Sequence, residues 1–121
     1  MHDRRGGLYL SWRLGDTDAD SARETLERLT LGEKLHLYKL CSWVVAGNEV
    51  KALLTPAATL DEIAAAIWKT PPDIESGAFR MRWVSGQRGR VEVTREIEIS
   101  PVVLGLARRP EEWPYSSAAA A

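Results

Sequence analysis

Cysteine is almost absent from this chain: Cys41 is the only one in 121 residues. An internal disulfide framework is therefore excluded, and a single cysteine inside an apolar strand reads as a small buried hydrophobe. Net charge is also scarce, with a formal value of −1. No global basicity draws the chain to nucleic acid, so any such binding must come from a local patch. No apolar run reaches membrane-spanning length, and the opening MHDRRGG has no apolar signal-peptide core. These absences predict a cytoplasmic protein without a membrane partner. Internal repeats are lacking, and the closing AAAA is the one low-complexity piece. His2 and His36 stand alone in the sequence and are read as surface or packing residues rather than ligands.

What is present specifies one ordinary core. A chain of this length and apolar content buries roughly two-thirds of its unfolded surface as a single domain. Residues 1–121 are read as that one domain, with 1–7 and 118–121 as mobile ends. The organising stretch is 37–56, two strands joined at Gly47-Asn48, where glycine takes positive φ without steric cost. Simple alternation puts Leu37, Lys39, Cys41, Trp43 and Val45 on one face of the first strand. Tyr38, Leu40, Ser42, Val44 and Ala46 then occupy the other. Both faces are largely apolar, as in a strand covered on two sides. The return strand alternates more clearly. Val50, Ala52 and Leu54 fall on one face, with Glu49, Lys51, Leu53 and Thr55 on the other.

Upstream, LYLSWRL alternates as a first strand with Leu8, Leu10, Trp12 and Leu14 together. Ser21 and Glu24 have capping-box spacing, and Ala22, Leu26 and Leu29 follow at helical spacing, with Gly32 as the expected stop. Downstream of Pro56, Thr59 and Glu62 repeat the capping spacing. Leu60, Ile63, Ala64, Ile67 and Trp68 form the next helical stripe, which Pro71-Pro72 must end. The order strand, helix, strand, strand, helix opens a ferredoxin-like α+β sandwich, an antiparallel sheet with helices on one face. A loop is expected over 73–77. Beyond it, Phe79, Met81 and Trp83 alternate with Arg80 and Arg82, and Val91 and Val93 alternate with Glu92 and Thr94. This predicts a second hairpin, 78–84 against 90–94, turning at 85–89. Residues 94–99 fit strand or helix equally, and Pro101 is expected to open a short helical turn.

The closing segment SPVVLGLARRPEEWPYSSAAA resembles the end of the REP-associated tyrosine transposases, a branch of the HUH single-strand transposases. The pattern is carried by Pro101, Val102, Gly105, Leu106, Pro110, Glu111, Trp113, Pro114, Ser116 and Ser117. SWVVAGNEVKALLTP resembles the family's Trp-Val-Val-Met-Pro-Asn-His-Val-His-Leu-Leu-Leu hairpin, LYLSWRL its first strand and TLDEIAAAIWK its second helix. The resemblance implies a divalent metal held by two histidines two residues apart, and a tyrosine that attacks a phosphodiester of single-stranded DNA. The two histidine positions are occupied here by Glu49 and Lys51. A charged lysine offers donors only and cannot ligate a metal. No tyrosine occurs between Tyr38 and Tyr115, the interval in which the family's nucleophile falls.

A catalytically inactive transposase-like domain is therefore expected, with no catalytic residue, no metal and no cofactor. It would bind single-stranded or hairpin nucleic acid. Lys51 is a candidate phosphate contact, replacing the metal's positive charge. Arg80, Arg82, Arg88 and Arg90 are the others, four guanidinium forks within eleven residues and no acid between them. The bland alternatives are a surface Glu49–Lys51 ion pair and a solvated strand face. The functional alternative is a protein–protein interaction module or a homodimeric subunit, since five tryptophans in so short a chain leave room for exposed aromatic surface.

Overall fold

The computed structural model describes residues 7–14, 19–68 and 79–120. The expectations for 1–6, for Pro71-Pro72 and for the loop at 73–77 lie outside these. The described elements are β1 (Gly7–Arg13), α1 (Ala19–Lys34), β2 (Tyr38–Ala46), β3 (Glu49–Pro56), α2 (Leu60–Ile67), β4 (Phe79–Val84), α3 (Gly86–Val103) and α4 (Ser117–Ala120), with a 3₁₀ turn at Pro110–Glu112. The sheet runs β2-β3-β1-β4, and every neighbouring pair is antiparallel. This is the α+β antiparallel sheet that the element order implies, but its helices lie on both faces rather than one: α1 and α2 on the first, and α3 on the second, where Val93 and Ile97 pack with Tyr9, Val44 and Leu53.

One face of the sheet is closed by α1 and α2. Leu8, Leu10 and Trp12 of β1 lie beside Val50, Ala52 and Leu54 of β3, and Ala22, Leu29, Ile63 and Ile67 seat on them. Period-2 strands meet period-3.6 helices here, so each element buries the stripe its sequence offers. The Thr59 hydroxyl accepts from the Glu62 amide at 3.2 Å and donates to its carboxylate at 3.0 Å, fixing the start of α2. Trp68 packs edge-on between Trp12 and Phe79, with ring centroids 5.1 and 5.3 Å away.

Two local expectations are corrected on this side. Gly32 does not stop α1, which runs on to Lys34. Its missing side chain makes room for Tyr38, whose ring occupies the space a Cβ would fill. The helix stops after Lys34, and in the turn beyond it His36 takes φ 61° while the Leu37 amide reaches back to the Gly32 carbonyl at 3.1 Å. The simple alternation of β2 also fails. The ladder pairs Leu40 with Leu54 but Ser42 with Leu53, so the register slips by one residue at Cys41. The bulge keeps Tyr38 and Leu40 on the α1/α2 face together with Trp43 and Val45, and turns Cys41 to the other face with Val44 and Ala46.

The largest correction lies on that other face. The predicted second hairpin does not exist: β4 is followed at once by the eighteen-residue helix α3. Val91 and Val93 alternate only by coincidence. The buried positions Val93, Ile97, Ser100 and Pro101 recur at helical spacing and seat α3 on the sheet. Pro101 does not open a turn but lies inside the last turns of α3. The helix closes on Gly105 at φ 75°, with the Leu106 amide on the Pro101 carbonyl at 2.8 Å and the Gly105 amide on Val102 at 3.0 Å.

α3 lies mainly along β2 and to a lesser extent along β3, so it roofs one half of its face. The chain then returns to seal the outer edge of β2. The Trp113 indole N–H donates to the Val45 carbonyl at 2.8 Å, the Val45 amide donates to Tyr115 at 2.8 Å, and the Trp43 amide donates to the Ser117 hydroxyl at 3.0 Å. The closing motif thus covers an edge that would otherwise be free to pair with another chain.

Candidate nucleic-acid interface

The α3 face carries the residues that the sequence singles out. Register puts Arg80 opposite Ser11, and Ser11 opposite Lys51. Arg80, Ser11 and Lys51 therefore form one row across β4, β1 and β3. The next row holds Arg82, Tyr9 and Leu53. Two strand spacings, roughly 10 Å, separate Arg80 from Lys51 at the backbone. Arg80 and Arg82 are exposed on the half of the face beyond the roof.

Lys51 sits where the roof meets the sheet. Its ammonium donates to the Ser100 hydroxyl at 3.2 Å and stands 3.9 Å from the Glu49 carboxylate. Ser100 in turn donates to the Glu96 carbonyl at 3.0 Å, one turn back on α3. Glu49, Lys51, Glu96 and Ser100 line a cavity of about 260 Å³ whose remaining walls are apolar. The Lys51 side chain is about one-fifth exposed, so its charge faces both the cavity and solvent. The Glu49 pair contributes no more than about 1 kcal/mol, because the carboxylate is well hydrated.

The side chains at 49 and 51 do not fit a divalent cation. The Lys51 ammonium occupies the ground between Glu49 and Ser100, and while charged it offers donors only and repels a second cation beside the two carboxylates of the cavity, Glu49 and Glu96. Among the described residues no group of three or more His, Cys, Asp or Glu side chains converges. The three tyrosines are dispersed. Tyr38 is on the opposite face, with its hydroxyl on the Leu29 carbonyl at 2.5 Å. Tyr115 packs against Trp113 in the closing motif. Tyr9 is on the α3 face, capped by the Arg82 guanidinium 5.6 Å from its ring centroid. Burial pushes the Tyr9 phenol above its ordinary value; a hydrogen bond with Ser11 opposes this, while Glu96 and Glu49 add to it.

The four arginines do not form one cluster. Arg80 and Arg82 share the open sheet face, whereas Arg88 and Arg90 stand on α3. Arg88 pairs with Glu92 at 3.5 Å on a fully solvated helix surface. Arg90 turns towards β2 and donates to the Cys41 sulfur at 3.4 Å. A strand puts alternate residues on one side, but a helix rotates each residue by about 100°, and that rotation separates the pairs. Sequence reasoning missed Ser100 and Glu96 as neighbours of Lys51. Their signal was the spacing of Val93, Ile97 and Ser100, which the strand reading overlooked.

No protein-family model matches the sequence, and no curated protein matches it. Among solved structures, the chain is similar to a REP-associated tyrosine transposase bound to a REP hairpin, with a TM-score of 0.73 over 97% of this chain and 79% of that one. The two sequences are 13% identical. At that identity the match shows a shared fold. It agrees with the fold that the resemblance implies. Among the described residues no helix is long and apolar enough to cross a membrane.

Proposed function

We propose that this chain is a transposase-like domain that binds single-stranded or hairpin nucleic acid and does not cut it. The observation that carries the reading is the position of Lys51. Its ammonium lies within one hydrogen bond of α3, on the same sheet face as Arg80 and Arg82. A phosphate backbone laid across β4 and β1 meets three cations in succession, two of them guanidinium forks. The similar fold of a protein solved with a nucleic-acid hairpin supports the same use of the surface. Loss of cleavage is supported by the donor set at 49 and 51 and by the tyrosines. Tyr38 and Tyr115 are away from this face, and burial raises the Tyr9 phenol above its ordinary value, which disfavours the phenolate nucleophile.

Incubating the protein with a labelled hairpin oligonucleotide and magnesium or manganese tests both halves. The expected result is a retarded complex and an oligonucleotide of unchanged length. A metal-dependent nick that disappears on changing Tyr9, Tyr38 or Tyr115 to Phe overturns the non-cleaving reading.

A second reading, docking of a protein partner or a second copy, is favoured by one feature. Val103, Leu104 and Leu106 at the end of α3 are 76%, 54% and 45% exposed, an apolar group unusual for a free surface. Failure to bind the oligonucleotide at low salt, together with a doubled mass in size-exclusion chromatography, transfers the assignment to it.

A further inference from the structure

We propose that the groove between α3 and the outer part of β2 is a separate binding site for a nucleoside phosphate, with Arg90 and Arg95 holding the phosphate. The inference goes beyond the open-sheet surface and does not rest on it. The groove encloses about 730 Å³, within the range of small-molecule sites. The bulge in β2 creates its floor by turning Cys41 to this side. α3 supplies its wall, because Gln87, Arg90, Val91, Thr94 and Arg95 recur along one helical stripe.

The charge of the groove is unspent. Arg90 donates to the Cys41 sulfur at 3.4 Å, a weak acceptor, and makes no ion pair among the described residues. Arg95 has neither an ion pair nor a hydrogen bond among them. The lining carries one acid, Glu98, and the Ser117 hydroxyl donates to it at 2.6 Å. Two guanidinium forks therefore face one engaged carboxylate, an arrangement that favours a dianionic oxyanion. Val91 and Ile99, half and more than one-third exposed, supply an apolar wall for the face of a base. The Gln87 side chain, without a partner among the described residues, supplies polar contacts for its edge. Phosphate and planar ring together define a nucleotide, either free or at the 5′ end of a strand.

Cys41 lies in the groove and is the only cysteine, so it reports directly on occupancy. The test is alkylation by iodoacetamide, followed by intact mass and expressed for each variant as the rate with ligand over the rate without. Calorimetric titration of dAMP is the second readout. Saturating dAMP is expected to protect Cys41, inorganic phosphate to protect more weakly, and deoxyadenosine to leave it exposed. Changing Arg90 and Arg95 together to Ala should weaken dAMP by about tenfold or more, and changing both to Lys should restore part of the loss. Changing Arg80 and Arg82 to Glu should leave protection intact, which separates this site from the sheet surface. Stronger protection by a 5′-phosphorylated oligonucleotide than by dAMP identifies a strand end as the ligand, and the reverse order identifies a free nucleotide. Absence of protection by dAMP, equal protection by deoxyadenosine, or protection that survives the double alanine substitution overturns the proposal.

Discussion

The two faces of the sheet share the same strands and are finished in opposite ways. On one, α1 and α2 cover the sheet with Leu29, Ile63 and Ile67, and the strand residues packed with them are Leu, Val, Ala, Trp and Tyr38. On the other, α3 roofs β2 and β3, and the uncovered half presents Arg80 and Arg82. The difference teaches where stability and recognition reside. A closed apolar face contributes burial at about 25 cal/mol per Å² and leaves nothing for a ligand to touch. A half-roofed face keeps Lys51 at the border of a cavity and leaves Arg80 and Arg82 open to solvent, the arrangement on which the proposed phosphate contacts rest.

The sharpest way to break this contrast is to damage the closed face. Changing Leu54, fully buried, to Ala should cost about 2–5 kcal/mol, whereas changing Lys51 to Met should stay within about 1 kcal/mol. Urea denaturation of the two variants measures both. Equal losses would mean that the roofed half is as much a core as the other.

High pH probes the same face through Tyr38. Burial pushes its phenol up to about 12, and the Glu33 carboxylate adds to the shift. The unfolded tyrosine releases its proton near 10. Between those values the unfolded state binds fewer protons than the folded one. The contribution of Tyr38 is therefore complete below about pH 10 and lost as the pH rises through about 12, up to about 3 kcal/mol. Changing Tyr38 to Phe should flatten that part of the stability–pH curve. It should also cost about 1 kcal/mol at neutral pH for the hydrogen bond to Leu29.

On the open face the expected effects fall on binding. Changing Arg80 and Arg82 to Glu should weaken a hairpin oligonucleotide by at least about tenfold, or about 1.4 kcal/mol, with stability unchanged within about 0.5 kcal/mol. Fluorescence anisotropy and a parallel melt separate the two. The smallest effect belongs to the end of α1. His36 holds a left-handed backbone that suits glycine better, so His36→Gly should stabilise the fold by up to about 1 kcal/mol in a thermal melt.

Much of the closed half was legible in the sequence. Leu8, Leu10 and Trp12, the return strand with Val50, Ala52 and Leu54, and the Thr59 cap all stand where alternation and spacing put them. The failures have physical causes. The bulge at Cys41 shifts a register that local alternation assumes to be unbroken. Gly32 looked like a stop because its real reason, the close approach of Tyr38, is a tertiary contact. α3 was misread because Val91 and Val93 satisfy a period of two over a few residues, while the deciding stripe spans more than two turns. That misreading also hid the groove and merged four arginines into one patch. Glu49 and Lys51 were legible as a shared outward face, and Ser100, the partner of Lys51, was not.

The measurement that tests the central claim most directly is the salt dependence of hairpin-oligonucleotide binding, wild type against the Arg80→Glu, Arg82→Glu variant. Neutralising phosphates with Lys51, Arg80 and Arg82 predicts a log–log slope of about −2 to −3, and the double substitution should remove most of it. Absence of binding at low salt, or an affinity and slope that the substitutions leave unchanged, would contradict the account.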